Sequence, residues 1–393
     1  YADWVDRQLL APGDGFRARQ MTPYHEGPAG NDRNLVPSVA TLTTAGQAAA
    51  DDWFVTDDLG DLLPAIAIGR VPVTEPAELA AVIDKTIASA NAPVGPWRRR
   101  VLWITNEEAA MQQFTDRAVA RLAARGFVPT KVYPRPEERS NAGHQQKILD
   151  SFATGQSLVQ FTGHGGRFIW RTGPPDPLKN HDLFTLEHLD ALAPSTRLPV
   201  VVSHSCHTAP FDHPSADSIG ERFLRLADRG APAVVAASWR IVPLPGLVEG
   251  FAGELTRPGT VGEALARAKR SLAAPELTAT YNLLGDPALP TPVPQHELVV
   301  ELLPAAVDAP RRLSARLPGE SFRGRARVEW LDESGASLAH EERGVEGVEA
   351  FFAPPAVDGL RWASVYFWDE TSGFDALGGL DLLLSSPQPS ASR

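Results

Sequence analysis

Ser157-Leu-Val-Gln-Phe-Thr162-Gly163-His164-Gly165-Gly166 and Pro199-Val-Val-Val-Ser-His204-Ser205-Cys206-His207 decide how this chain is read. Each begins as an apolar run of strand length and ends abruptly in residues that carry chemistry. Working outward, further short apolar runs lie at Ala65–Arg70, Arg100–Thr105, Pro129–Tyr133 and Ala231–Ser238. Stretches of helical period separate them at Glu75–Ser89, Thr115–Arg125, Gln145–Ala153, Leu186–Leu192, Ser218–Arg229 and Val261–Leu272. Strands alternating with helices predict βαβ units and an α/β domain with a mainly parallel sheet. Gly126, Gly155 and Gly230 stand where helices commonly stop.

Residues 1–50 are broken by Gly, Pro, Asn and Thr and read as loops or an extended arm. After the Pro-rich joint Pro287–Pro294 the helical period disappears. The runs His296–Leu303, Ala326–Leu331, Val348–Phe352 and Trp362–Trp368 predict a small β-sandwich, immunoglobulin-like in type. The division is therefore an N-terminal subdomain over 1–95, an α/β subdomain over 96–294, a sandwich over 295–384 and a disordered tail over 385–393.

The 393 residues carry 37 Lys and Arg against 48 Asp and Glu, a net charge of −11. Phosphate recognition needs clustered cations, so nucleic acid is not an expected partner. No apolar run is long enough for a spanning helix, so membrane insertion is not expected either. The single cysteine, Cys206, excludes an internal disulfide framework and a Cys-rich zinc site.

In a parallel sheet, reactive groups collect beyond the carboxyl ends of the strands. If the two quoted strands are neighbours, His164 and Cys206 face each other at one edge. A neutral imidazole can then take the thiol proton, and the thiolate can attack a carbonyl carbon. Glycines around His164 allow close approach, which makes the amides of Gly165 and Cys206 candidate oxyanion donors. Other readings stay open. Cys206 could be a small buried hydrophobe, His164 a loop histidine, and His204, Cys206, His207 and His213 a metal cluster. Strand alternation turns His207 away from His204 and Cys206, and no Walker loop, G-x-S-x-G elbow or H-E-x-x-H is present.

Phe161-Thr-Gly-His164-Gly resembles the histidine motif of gingipain-type cysteine peptidases of the caspase-like superfamily. Val201-Val-Ser-His-Ser-Cys206-His-Thr-Ala-Pro-Phe211 resembles their nucleophile strand. Asp51-Asp-Trp-Phe with Ala65-Ile-Ala-Ile-Gly-Arg70-Val-Pro, Asp84-Lys-Thr-Ile87, Ala233-Val-Val-Ala-Ala-Ser-Trp239 and Tyr281-Asn-Leu-Leu-Gly-Asp-Pro-Ala-Leu289 are similar to further family segments, in the same order. The chain departs from the family in carrying His204 and His207 where small or apolar residues are usual, and Gly166 where Ser is common.

The resemblance implies a cysteine endopeptidase with a caspase-like sheet and a C-terminal immunoglobulin-like domain. Cys206 would be nucleophile and His164 general base. An acidic residue ending the strand Val101-Leu-Trp-Ile-Thr-Asn-Glu107-Glu108 would orient the imidazole, Glu108 ahead of Glu107. Arg or Lys before the scissile bond would be read by Asp116, which could equally serve a helix start capped by Thr115. Ser238, Trp239 and Trp170 would line or shield the substrate site. No catalytic cofactor is implied; structural calcium is, with Asp57-Asp58-x-x-Asp61 an oxygen-rich loop of the right kind. The implied partners are a protein or peptide substrate and a propeptide or regulatory chain, and a secreted or cell-surface setting is favoured. The rival readings are an inactive peptidase-fold adhesion or assembly module, an acyl transferase using the same dyad, and a metal-dependent hydrolase.

Overall fold

The computed structural model describes residues 38–384, apart from 44, 59–61, 175, 177, 213–216, 305–310 and 320. The expected N-terminal arm, the tail, Asp61 and His213 therefore lie wholly or largely outside the described residues. In chain order, a hairpin of β1 (Ala40–Thr43) and β2 (Gly46–Ala49) precedes α1 (Pro76–Ala90), β3 (Arg100–Thr105), α2 (Ala109–Ala124), β4 (Val128–Val132) and α3 (Ala142–Thr154). Next come β5 (Leu158–Thr162), the short strands β6 (Gly165–Gly166), β7 (Ile169–Arg171) and β8 (Asp182–Thr185), α4 (Leu186–Asp190) and β9 (Val200–His204). The α/β part closes with α5 (Ile219–Arg225), β10 (Ala233–Ala237), α6 (Pro245–Leu255), α7 (Val261–Leu272), α8 (Pro275–Thr278) and β11 (Tyr281–Gly285).

The central sheet has the order β11-β10-β9-β5-β3-β4. All neighbours are parallel except β11, which runs antiparallel to β10. The chain steps outward from β3 to β4, then returns to lay β5 on the other side of β3. In sheets with such a reversal the ligand crevice lies beyond the carboxyl ends of the strands on either side of it, here β3 and β5.

Both faces of the sheet are covered, which is why its strands read as unbroken apolar runs. On one face Trp103, Val202 and Val235 pack with Phe114 of α2, Phe251 of α6 and Leu265 of α7. On the other, Ile104, Phe161 and Val201 pack with Phe152 of α3, Phe223 of α5 and Trp170 of β7. Each such fully buried side chain contributes about 1.5–3 kcal/mol.

Several elements differ from expectation. Within 1–50, read as loops or an extended arm, residues 40–49 form the β1–β2 hairpin. Ala65–Arg70 is not a strand: it pairs with β11 through an isolated bridge at Arg70 alone, and Ile66 is exposed. Pro64 and Pro72 flank it and lack the amide protons a longer ladder would use. Helix α2 begins at Ala109, so Thr115 is no cap; its hydroxyl donates to the Met111 carbonyl within the helix. Helix α6 escapes periodicity because Gly246, Gly250 and Gly253 dilute its helix propensity, and Pro245 opens it at the one position where proline suits a helix.

Residues beyond Pro294 form two sheets around one core. Five strands run β12 (His296–Glu297), β19 (Phe374–Asp381), β18 (Trp362–Asp369), β15 (Phe322–Leu331) and β16 (Ser337–Gly347); three run β13 (Val299–Leu303), β14 (Arg312–Arg316) and β17 (Glu349–Phe352). Strand β16 gives no apolar alternation because it is a charged, exposed edge, with Glu341, Glu342, Arg343 and Glu346 along it.

This β-domain is fused to the α/β part. Tyr366, Trp368 and Leu377 belong to the same apolar cluster as α2 and β3. Arg99, 1% exposed, donates to Ser364 Oγ and, at 2.6 Å, to Glu329 Oε2. Arg98 pairs with Asp375 at 3.2 Å, and the Tyr366 hydroxyl donates to the same Asp375 while accepting from the Gly95 amide. Replacing Arg99 with Met leaves Glu329 with only Arg327, 3.4 Å away, as counter-charge. The expected loss is therefore below the roughly 3–5 kcal/mol of a fully stranded charge, read in a urea melt; a variant as stable as the parent would show that the joint does not depend on the pair.

Candidate active site

Parallel pairing aligns Thr105 of β3, Thr162 of β5 and His204 of β9 in one row at the carboxyl edge. The ladder continues one step further, with the Asn106 amide donating to Thr162 O at 3.1 Å and the Gly163 amide to His204 O at 3.2 Å. His164 and Cys206 follow two residues beyond the row, and Glu108 three. A Cβ on Gly163 would lie 2.7 Å from Asn106 Cβ, and one on Gly165 would lie 2.2 Å from Ser205 Oγ. The histidine loop is thus clamped between the acidic loop and the cysteine loop at two points where no side chain fits.

Glu108 and His164 meet. Glu108 Oε1 accepts from His164 Nε2 at 2.8 Å, with the side chains 41% and 39% exposed. The Glu108 amide donates to Asn106 Oδ1 at 3.3 Å, which shapes the turn that delivers the carboxylate. Glu107 points elsewhere: it pairs with Lys179, and its amide donates to Thr172 O at 2.7 Å.

Cys206 is partly exposed. Its thiol donates to Ile241 O at 3.1 Å, and the Ile241 amide approaches Sγ at 3.5 Å. The next residue, His207, holds φ +54°, a left-handed conformation unusual outside glycine, and its amide donates to Trp239 O at 3.1 Å. The His207 ring stands edge-on to Trp239, centroids 4.9 Å apart. Trp239 therefore flanks the cysteine loop, its own Nε1 donating to Ala45 O.

The other expected lining residues make other contacts. Trp170 is fully buried, stacked on Phe161 at 4.8 Å and donating to Ser203 Oγ, so it is a core residue that cannot touch a ligand. Ser238 is likewise buried and donates to Ala49 O at 2.6 Å, fastening the β1–β2 hairpin. Asp116 faces β4: it pairs with Lys131 at 2.8 Å and accepts from the Tyr133 hydroxyl at 3.1 Å. It lies inside α2 and not at its start, and its side chain is half exposed.

His204 is not a metal ligand. The amide nitrogen of Gln160 donates to Val248 O at 3.1 Å and lies 2.8 Å from His204 Nε2, while His204 Nδ1 lies 3.3 Å from the Tyr281 hydroxyl. Complete burial pushes this imidazole down to about 3, so it stays neutral. Among the described residues no group of three or more His, Cys, Asp or Glu side chains is placed to hold a metal ion; Asp61 of the Asp57–Asp58 loop lies outside them. Sequence reasoning missed Ile241, whose contact is through the backbone and leaves no side-chain signal. It also missed the partnership of Gln160, His204 and Tyr281, which three separate strands bring together.

Two outcomes follow. Because unfolded His204 regains the ordinary value of 6.5 while the folded ring does not protonate until about 3, the unfolded state binds the extra proton between these values. Its contribution to stability is present above pH 6.5 and is lost as pH falls below it; a His204→Gln variant should show a shallower acid slope in pH-dependent melts. Gly165→Ala drives a methyl into Ser205, and a displacement of this order costs about a hundredfold in activity. Unchanged turnover in that variant would mean the loops can separate freely.

The model of peptidase family C25 matches residues 5–292. Among solved structures, the chain is similar to the Arg-specific cysteine proteinase gingipain R (RgpB), at 18% identity and TM-score 0.53, covering 96% of this chain and 93% of that one. It is equally similar to RgpB in the complex of pro- and mature domains from Porphyromonas gingivalis, at 17% identity and TM-score 0.53, covering 96% and 95%. At such identities the likeness speaks for the fold. No curated protein sequence gives a significant match. The strand-end crevice, the cysteine and histidine loops beside it and the family match over most of the chain together place this protein in peptidase family C25, as a cysteine peptidase of the gingipain type.

Proposed function

We propose that this protein is an endopeptidase in which Cys206 is the nucleophile, His164 the general base and Glu108 the residue that fixes the imidazole. The observation that carries the reading is the 2.8 Å bond from His164 Nε2 to Glu108, at the sheet edge where Cys206 also emerges. With Nε2–H held by the carboxylate, Nδ1 carries the lone pair and is the nitrogen left to take the thiol proton. Leaving its resting bond to Ile241 O, the thiolate adds to the scissile carbonyl carbon. The resulting oxyanion is received by the amides of Gly165 and Cys206; among the described residues the Cys206 amide makes no other hydrogen bond. Collapse expels the amine, protonated by His164, and leaves a thioester. Water, deprotonated by the same histidine, then releases the acid and restores the thiol.

The substrate is a peptide or protein in extended form. A preference for Arg or Lys read by Asp116 would have to share that carboxylate with Lys131 and Tyr133, which both hold its Oδ1. RgpB is named as Arg-specific; for this chain the residue before the scissile bond is left to experiment. A pro-segment covering the crevice is the partner that the RgpB complex of pro- and mature domains points to.

The test is intact-mass analysis after exposure to peptidyl acyloxymethyl ketones bearing Arg, Lys, Asp or Leu next to the warhead. With one cysteine in the chain, a single adduct reports on Cys206. Cys206→Ala should give no adduct and no peptide cleavage, His164→Ala should slow both at least about a hundredfold, and Glu108→Gln by about tenfold to a hundredfold. Cleavage that survives in Cys206→Ala would refute the assignment.

A further inference from the structure

Just below the catalytic loops, β3 and β5 bring four polar side chains into one block. Their register pairs Thr105 with Thr162 and, two residues deeper on the same face, Trp103 with Gln160. This is the face that Trp103 shares with Phe114 of α2 and Phe251 of α6. Neighbouring strands lie about 4.8 Å apart, and side chains on one face recur about every 6.6 Å, so the four corners are mutual neighbours. All four residues are completely buried.

Each corner carries a polar atom with no hydrogen-bond partner among the described residues: the Trp103 indole N–H, the Gln160 side-chain oxygen and the hydroxyls of Thr105 and Thr162. The Gln160 oxygen is identified by its neighbour, because the Val248 carbonyl 3.1 Å away can only accept and so faces the amide nitrogen. The other neighbour of that nitrogen is His204 Nε2, at 2.8 Å. Buried donors and acceptors are almost always answered, by protein or by ordered water. Four orphaned atoms, contiguous in two rows, therefore point to one shared partner. That partner has to accept from an N–H and donate to a carbonyl oxygen. A cation cannot take the indole proton, and an anion cannot serve the amide oxygen; water does both. Threonine reaches less far from the sheet than tryptophan or glutamine, so the upper row leaves the depth such a molecule needs.

We infer that Trp103, Thr105, Gln160 and Thr162 form an internal hydration site that holds about one or two ordered waters beneath the crevice. The waters tie β3 to β5 through side chains, beside the ladder that already joins their main chains. These are the strands from whose ends Glu108 and His164 emerge, so the site belongs to the support on which that pair stands. It does not depend on which residue attacks the substrate.

Isosteric substitution tests this by the sign of its effect. Thr162→Val exchanges the hydroxyl for a methyl of the same size. With water bonded to the hydroxyl, the exchange loses a hydrogen bond, and the unfolding equilibrium constant read in urea melts should rise about fivefold to tenfold. A variant as stable as the parent, or more stable, means a dry hydroxyl and overturns the inference. Thr105→Val should cost a similar factor, and the double variant less than the product of the two, because both hydroxyls share one water cluster. A full product overturns the shared site. Magnetic relaxation dispersion of the water oxygen counts long-lived internal waters, and the parent should hold more of them than the double variant; equal counts refute the site. Should the double variant not fold, a high-resolution crystal structure of the parent decides. Water density within about 2.7–3.2 Å of Trp103 Nε1 and Gln160 Oε1 is expected. A block without it, or with Thr105 and Thr162 bonded to each other, overturns the inference.

Discussion

Everything at the crevice depends on three parallel strands ending level. Thr105, Thr162 and His204 share a row because β3, β5 and β9 are bonded in an uninterrupted ladder and buried on both faces. A slip of one residue would exchange the side chains packed against α2 and α6 for those packed against α3 and α5, so the register is strongly specified. Once it is set, short loops have no choice about where Glu108, His164 and Cys206 emerge. Gly163 and Gly165 then let Asn106 and Ser205 of the flanking loops press onto the histidine loop's backbone, and the precision of a rigid sheet passes to three side chains on turns.

The surrounding polar contacts hold the loops from outside the sheet. Asp51 binds Arg70 through both carboxylate oxygens, and the Arg70 guanidinium lies 4.6 Å from the Phe211 ring in the cysteine loop. Asp52 pairs with buried Lys269, which also grips the Tyr281 carbonyl. Lys85 of α1 donates to the carbonyls of Phe223, Leu224, Leu226 and Arg229 and so closes the free end of α5. At the other end, the Ile219 amide donates to Arg167 O beside β6. In the described part of the N-terminal segment, Asp51, Asp52, Arg70 and Lys85 thus strap it to the sheet and its loops.

The sheet and the crevice were legible because apolar runs of strand length announce themselves and because reactive residues followed two of them directly. Glu108 was reachable by the same logic, although choosing it over Glu107 depended on Lys179, a residue far along the chain that claims Glu107. Trp170 and Ser238 went astray for a common reason: sequence gives distance along the chain from a reactive residue but not which side of the sheet a side chain takes. Ala65–Arg70 looked like a strand because apolarity was counted without asking whether an edge was free to receive it. Nothing local marks β16 as a strand, since its pairing with β15 and not its composition makes it one.

The joint between the two parts of the chain bears on inheritance. At Gly126 and Gly378–Gly379 the backbones of the α/β part and the sandwich approach so closely that a Cβ on Gly379 would stand 2.2 Å from the Gly126 nitrogen. A substitution on either side demands a matching one on the other, and Arg99 adds the same demand through Ser364 and Glu329. Domains joined by linkers can be shuffled between proteins as units. These two halves would have to diverge together, their paired positions changing in step, so the sandwich travels through evolution as part of the peptidase's own architecture.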